Sequence, residues 1–108
     1  MNYHVLLFPQ AQTDLESIYD YIAFRLLEQG TAARIYRELS AAIQSLDMFP
    51  SRNPLLGKEP WRSKGYRKLL IGNYLALYSV NESTKTVEVV KIIYAGRDIE
   101  KILTESIE

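Results

Sequence analysis

The stretch that decides the fold is residues 66–94, which read YRKLLIGNYLALYSVNESTKTVEVVKIIY. It contains three runs rich in β-branched, aromatic and other apolar residues, at 66–71, 74–80 and 86–94. Gly72-Asn73 is the kind of dipeptide that closes a two-residue hairpin, and the polar residues 81–85 form a second turn. Because strands joined by tight turns pair antiparallel, this stretch predicts a three-stranded antiparallel meander.

The segment before the meander predicts one strand and a first helix. Residues 2–8 suit a short strand that stops at Pro9. A helix is expected over 10–29, because apolar side chains recur there at steps of three and four residues: Leu15, Ile18, Ile22 and Leu26. Gly30 stands where a left-handed cap is needed, and Thr31 can cap the next helix with its side-chain oxygen.

The second helix has the most regular pattern in the chain. Its apolar stripe consists of Ala32, Ile35, Leu39, Ala42, Leu46 and Phe49. The helix should end at Phe49, because a residue that precedes proline disfavours the helical region. Two helices joined at 30–31 should form an antiparallel hairpin whose stripe is buried against the sheet. We therefore predict one two-layer α+β domain over residues 1–108, with a short C-terminal helix at 98–103.

The composition excludes several kinds of site and protein. The 108 residues include no cysteine and one histidine, which rules out a thiol nucleophile, a disulfide scaffold and a multi-histidine metal site. We expect no metal and no cofactor. No apolar run approaches the ~20 residues of a membrane span, and the N-terminus lacks a basic leader. A soluble cytoplasmic domain is expected.

Charge is unevenly distributed although the formal net charge is zero. Residues 52–68 carry six basic side chains and one acidic one, a balance of +5, between segments of −3 and −2. Most of this segment belongs to a loop predicted over 51–65. It is either a solvated loop or a surface for a partner. Trp61 within it could insert into a partner, or it could hold the loop to the body of the domain.

Three separated motifs resemble the RelE/ParE toxin superfamily of type II toxin–antitoxin systems, the plasmid-stabilisation type of protein. They are GYRKLL at 65–70, NYLALYSV at 73–80, and the run from 87 to 98, which ends in Gly-Arg-Asp. The order of the helices and strands agrees as well. The resemblance implies a toxin held inactive by a cognate antitoxin. It also implies one of two targets, since RelE-type toxins cut mRNA in the ribosome and ParE-type toxins poison DNA gyrase.

The residues that would cut RNA match only in part. Attack by a 2′-hydroxyl needs a base, an acid and cations that stabilise the phosphate. The resemblance assigns Arg67, Lys68 and Arg97 to this role. Three other positions where RelE-like enzymes carry a basic residue or a tyrosine hold leucine instead: Leu69, Leu75 and Leu103. Leucine can neither transfer a proton nor stabilise charge.

We therefore expect a toxin closer to ParE than to RelE, which binds a protein target such as DNA gyrase and is not an enzyme. Two alternatives stay open. One is a ribosome-dependent endoribonuclease with an altered site, and the other is a non-toxic homologue that only binds an antitoxin. The expected partner-binding residues are Tyr19, Phe24 and Leu27 on the apolar flank of the first helix, together with Trp61.

Overall fold

The computed structural model describes residues 2–96. In this part the chain forms β1 (His4–Leu7), α1 (Pro9–Asp20), α2 (Gln29–Gln44), β2 (Arg67–Ile71), β3 (Tyr74–Asn81) and β4 (Thr86–Tyr94). The four strands make one sheet in the order β1-β4-β3-β2, in which β1 runs parallel to β4 and the other neighbours are antiparallel. The predicted α+β class and the meander are confirmed. The predicted helix at 98–103 lies outside the described residues.

The two helices cover one face of the sheet and form the larger core with it. Leu15, Leu39 and Leu46 are buried there against Tyr78, Val89 and their neighbours on β3 and β4. Hydrophobic burial of this kind is the dominant stabilising contribution to folding. Of the helices in residues 2–96, none is long and apolar enough to cross a membrane.

The predicted stripe of the second helix is wrong at its last position. Leu39 and Leu46 are buried and Ile35 is half-buried, but the Phe49 side chain is 76% exposed. α2 ends at Gln44 and is followed by a short 3₁₀ turn, Ser45–Asp47, so Phe49 no longer continues the helical spacing. Its backbone adopts the left-handed region, with φ of 49°.

The reversal between the helices also differs from the prediction. α1 continues into one turn of π-helix, Tyr21–Arg25, and the left-handed residue is Leu27, with φ of 56°. Gly30 and Thr31 lie in the first turn of α2, so neither is a cap. The chain therefore turns about three residues earlier than glycine and threonine preferences suggest.

A loop covers the second face of the sheet, opposite the helices. Leu56 and Trp61 from this loop are buried among the strand residues Leu75, Leu77, Val90 and Ile93. The strands read as nearly continuous apolar runs because both of their faces are covered.

Candidate functional site

Arg67, the first of the predicted catalytic residues, forms hydrogen bonds to the backbone of a neighbouring segment. Its guanidinium Nη1 donates hydrogen bonds to the backbone oxygens of Asn53 at 2.6 Å and Ser51 at 3.2 Å. These bonds tie the start of β2 to the segment that follows α2. The preferred hydrogen-bond partners of the guanidinium are thus backbone carbonyls of its own chain, and the side chain is only half-exposed.

Lys68 lies on the other face of the sheet. On β3, Arg67 pairs with Tyr78, which belongs to the core beneath the helices, whereas Lys68 pairs with Leu77, which belongs to the cluster beneath the loop. Neighbouring residues of a strand point to opposite faces. The structure therefore does not bring the two basic side chains together.

The leucines at the other matched positions are packed in apolar surroundings. Leu69 contacts the core beneath the helices, and Leu75 is buried in the cluster beneath the loop. Arg97 and Leu103 lie outside the described residues. Within residues 2–96, the predicted catalytic positions form no convergent set of cations.

Tyr78 is the centre of a buried polar network. Its hydroxyl donates to the backbone oxygen of Pro50 at 2.5 Å and accepts from the Asn53 amide at 3.0 Å. Burial raises the pKa of Tyr78, while the hydrogen bond from Asn53 and the nearby charges of Arg67 and Arg52 act in the opposite direction. The hydroxyl is thus protonated at neutral pH and donates its hydrogen bond to a backbone carbonyl. It acts as a structural group and not as a general acid.

The same segment presents an exposed aromatic ring, Phe49, that the sequence pattern had placed in the core. The Arg52 guanidinium holds this turn by donating to the backbone oxygens of Met48 at 2.6 Å and Phe49 at 3.2 Å. A cavity of about 650 Å³ lies beside it, lined by Tyr3 and residues 49–52. The Phe-Pro dipeptide was the available signal that the helix would not continue through this position.

Three of the four predicted partner-binding residues lie on the helical hairpin. Phe24 is 61% exposed and Leu27 is 80% exposed, beside the exposed Tyr21 and Leu26. Tyr19 is half-buried and meets Tyr36 edge-on, with 6.0 Å between ring centroids. These two rings line a groove of about 350 Å³ between α1 and α2.

Trp61 does not belong to this surface. It is 3% exposed and packs on the opposite face of the sheet, beneath its own loop. The Lys64 ammonium lies 5.1 Å from the centre of its ring. The structure corrects the expectation that Trp61 meets a partner: burying this large ring anchors the loop, which is the alternative that the sequence had left open.

Comparisons with known proteins agree with this architecture. The family model described as the ParE toxin of the type II toxin–antitoxin system parDE matches residues 5–99. The fold is similar to a chromosomal ParDE system from P. aeruginosa, with a TM-score of 0.70 and 19% identity over 85% of this chain and 95% of that one. No curated protein matches the sequence.

Two RelE relatives share the fold as well. The RelBE2 toxin–antitoxin complex from Mycobacterium tuberculosis has a TM-score of 0.67 and 20% identity, over 87% of this chain and 92% of that one. A mutant of the E. coli toxin RelE in the free state has a TM-score of 0.65 and 15% identity, over 99% of this chain and 96% of that one. At these identities the likeness shows a common fold.

Proposed function

This chain belongs to the ParE toxin family of type II toxin–antitoxin systems, and from that premise we propose that it acts by binding a protein target, DNA gyrase. A cognate antitoxin neutralises it. The observation that carries the proposal is the position of the basic residues. Arg67 is bonded to backbone carbonyls on the helix side of the sheet, and Lys68 lies on the loop side.

RNA cleavage needs groups that converge on one phosphate. A base, an acid and cationic stabilisers must lie within hydrogen-bond reach of the same reacting atoms. Leu69 and Leu75 are packed apolar side chains and supply none of these functions. The Tyr78 hydroxyl does not supply them either, because it donates its hydrogen bond to the backbone oxygen of Pro50. A toxin that works by binding needs no such convergence, which favours the ParE-type activity over the RelE-type one.

The helical hairpin supports a protein partner. Four exposed apolar side chains lie on the π-helical turn and on the chain reversal between α1 and α2. They are Tyr21, Phe24, Leu26 and Leu27. Clustered exposed apolar groups typically mark a protein interaction site. Leu27 also adopts a left-handed conformation that costs a residue with a Cβ roughly 1–2 kcal/mol. We place the antitoxin on this surface, in contact with Tyr19, Phe24 and Leu27.

The proposal is tested by two assays on one preparation of the purified protein. Supercoiling of relaxed plasmid by gyrase should be inhibited, and the inhibition should be relieved by the product of the neighbouring antitoxin gene. In a translation reaction, mRNA should stay whole. Arg67→Ala, with its folding checked by urea unfolding, is the matched control, because a nuclease that depends on Arg67 would lose cleavage in a folded variant.

Two results would replace the proposal. Specific, ribosome-dependent cuts made by the wild type and absent in Arg67→Ala would identify an endoribonuclease with an altered site. Binding of the antitoxin without any effect on gyrase or mRNA would identify a non-toxic homologue.

A further inference from the structure

The loop on the second face of the sheet has a defined shape. Residues 57–65, which we call the basic loop, form turns closed by backbone hydrogen bonds: the Arg62 amide donates to the Lys58 oxygen at 2.9 Å, and the Lys64 amide donates to the Pro60 oxygen at 3.1 Å. Lys58, Arg62 and Lys64 are all exposed on these turns.

The basic loop is anchored from below. Trp61 and the adjacent Leu56 are buried against β3 and β4, and the Lys64 ammonium is positioned over the indole ring. Chain entropy lost on binding is smaller when the binding groups are already held in place. The exposed cations are thus presented on a fixed support.

These cations are not neutralised within residues 2–96. The ion pairs found there join Arg34 to Glu38, Lys85 to Glu82 and Lys91 to Asp14, and no carboxylate lies within 4.0 Å of Lys58, Arg62 or Lys64.

Glu59, the acidic residue of the loop, bonds to a backbone amide of the same loop. It accepts a hydrogen bond from the Ser63 amide at 2.9 Å. Hydrogen bonds from Ser63 and, to a lesser extent, the charge of Arg62 hold the pKa of Glu59 below its ordinary value.

The surroundings of the cations indicate which kind of anion fits. No large apolar side chain between residues 52 and 68 is exposed: Leu56 and Trp61 are buried, and Leu55 and Tyr66 are half-buried. Energetic centres of protein interfaces are usually aromatic or apolar anchors. Proteins that bind single strands offer aromatic rings on which bases stack. A surface whose exposed charges are mostly cationic, with no exposed large apolar side chain, is suited to the phosphates of a duplex.

We propose that the basic loop binds the phosphate backbone of duplex DNA without reading its sequence, through Lys58, Arg62 and Lys64. This activity goes beyond the proposed function and does not depend on which protein is the target. A toxin bound to any enzyme that works on DNA would gain a second attachment to the complex through this loop.

The test is fluorescence polarisation of the purified protein with a labelled 20-base-pair duplex at 50 to 200 mM NaCl. Three phosphate contacts predict a slope of log K against log salt of about −2.7, which is a loss of about 40-fold in affinity over this range. In the double variant Lys58→Gln with Arg62→Gln one contact is left, so the slope should fall to about −0.9 and the loss to about 3- to 4-fold.

A control with the same change of charge separates the loop from the overall charge. Arg25→Gln with Arg37→Gln removes two exposed cations from the helical side, and its affinity and slope should match the wild type. Exchanging the two loop residues, Lys58→Arg with Arg62→Lys, should preserve binding.

Three results would overturn the proposal. The first is no duplex binding by the wild type at 50 mM NaCl, and the second is an equal loss in the control variant. The third is a preference for a single strand or for polyglutamate over the duplex. Preference for polyglutamate would assign the basic loop to an acidic protein segment instead.

Discussion

Replacing Asp14 with alanine should strongly destabilise the protein, because its carboxylate joins α1 to β4. One carboxylate oxygen of Asp14 accepts from Lys91 Nζ at 3.0 Å and from the Gln10 amide at 3.0 Å, and the other accepts from the Ile92 backbone amide at 3.0 Å. β1 pairs with β4 only as far as Val89. Beyond that point the backbone amide of Ile92 has no β1 residue to bond to, and the Asp14 carboxylate accepts its hydrogen bond instead. The side chains of Asp14 and Lys91 are each 12% exposed.

The magnitude follows from what the substitution leaves behind. Asp14→Ala leaves a largely buried ammonium without its partner, which typically costs ~3–5 kcal/mol. Some water reaches the pair, so we expect the lower end, about 3 kcal/mol. In a domain of this size each kcal/mol lowers Tm by ~4–8 °C. In Asp14→Ala with Lys91→Met the exposed Gln10 amide can bind water, and the buried Ile92 amide is left unsatisfied. The double variant should therefore lose ~1–3 kcal/mol and be no less stable than the single one.

Urea unfolding followed by the fluorescence of Trp61 measures both variants, since this is the chain's one tryptophan and it is buried. A loss below about 1 kcal/mol in Asp14→Ala, within the range of ordinary surface substitutions, would refute the reasoning. So would a double variant that is less stable than Asp14→Ala, because the unpaired ammonium would then not be the cause.

Further changes separate buried from exposed groups. Leu39→Ala should cost ~2–5 kcal/mol, whereas Phe49→Ala should cost less than about 0.5 kcal/mol because that ring is exposed; equal losses in urea unfolding would contradict the placement of these two side chains. Tyr78→Phe removes a buried hydroxyl with two hydrogen bonds and should cost ~1–3 kcal/mol. An unchanged midpoint would show that this network does not hold the segment after α2. Phe24→Asp with Leu27→Asp should leave the fold stable and lower the amount of antitoxin that co-purifies at least 10-fold. An unchanged amount would show that the antitoxin binds another surface.

Much of the fold follows from local patterns. The strand boundaries at Thr86–Tyr94 and the hairpin at Gly72-Asn73 match the structure, because runs of β-branched and aromatic residues and turn dipeptides act within a few residues. The end of the second helix was wrong because its pattern continues in sequence after the backbone has left the helix at Gln44. The predicted burial of Phe49 rests on helical spacing, which does not apply to a residue that lies beyond the end of α2.

The candidate site was predicted less well, since it depends on which face of the sheet each side chain meets. Strand alternation already predicts that Arg67 and Lys68 point to opposite faces, but only the register with β3 shows that Arg67 faces the helices and Lys68 faces the loop. The burial of Trp61 could not be derived from the loop's polar composition, because the cluster that receives it comes from two distant strands. The exposure of Phe24 and Leu27 agrees with the expected apolar flank of the hairpin.

The most direct test of the central claim is a binding measurement between the purified protein and DNA gyrase. Immobilised toxin and gyrase in solution should form a saturable complex with a Kd of about 1 μM or tighter, equivalent to about −8 kcal/mol. Arg67→Ala, once urea unfolding has shown that it is folded, should form the same complex, because the Arg67 guanidinium bonds to its own backbone and not to a partner. No complex with supercoiling-competent gyrase, together with cleavage of translated mRNA by the same preparation, would contradict the account.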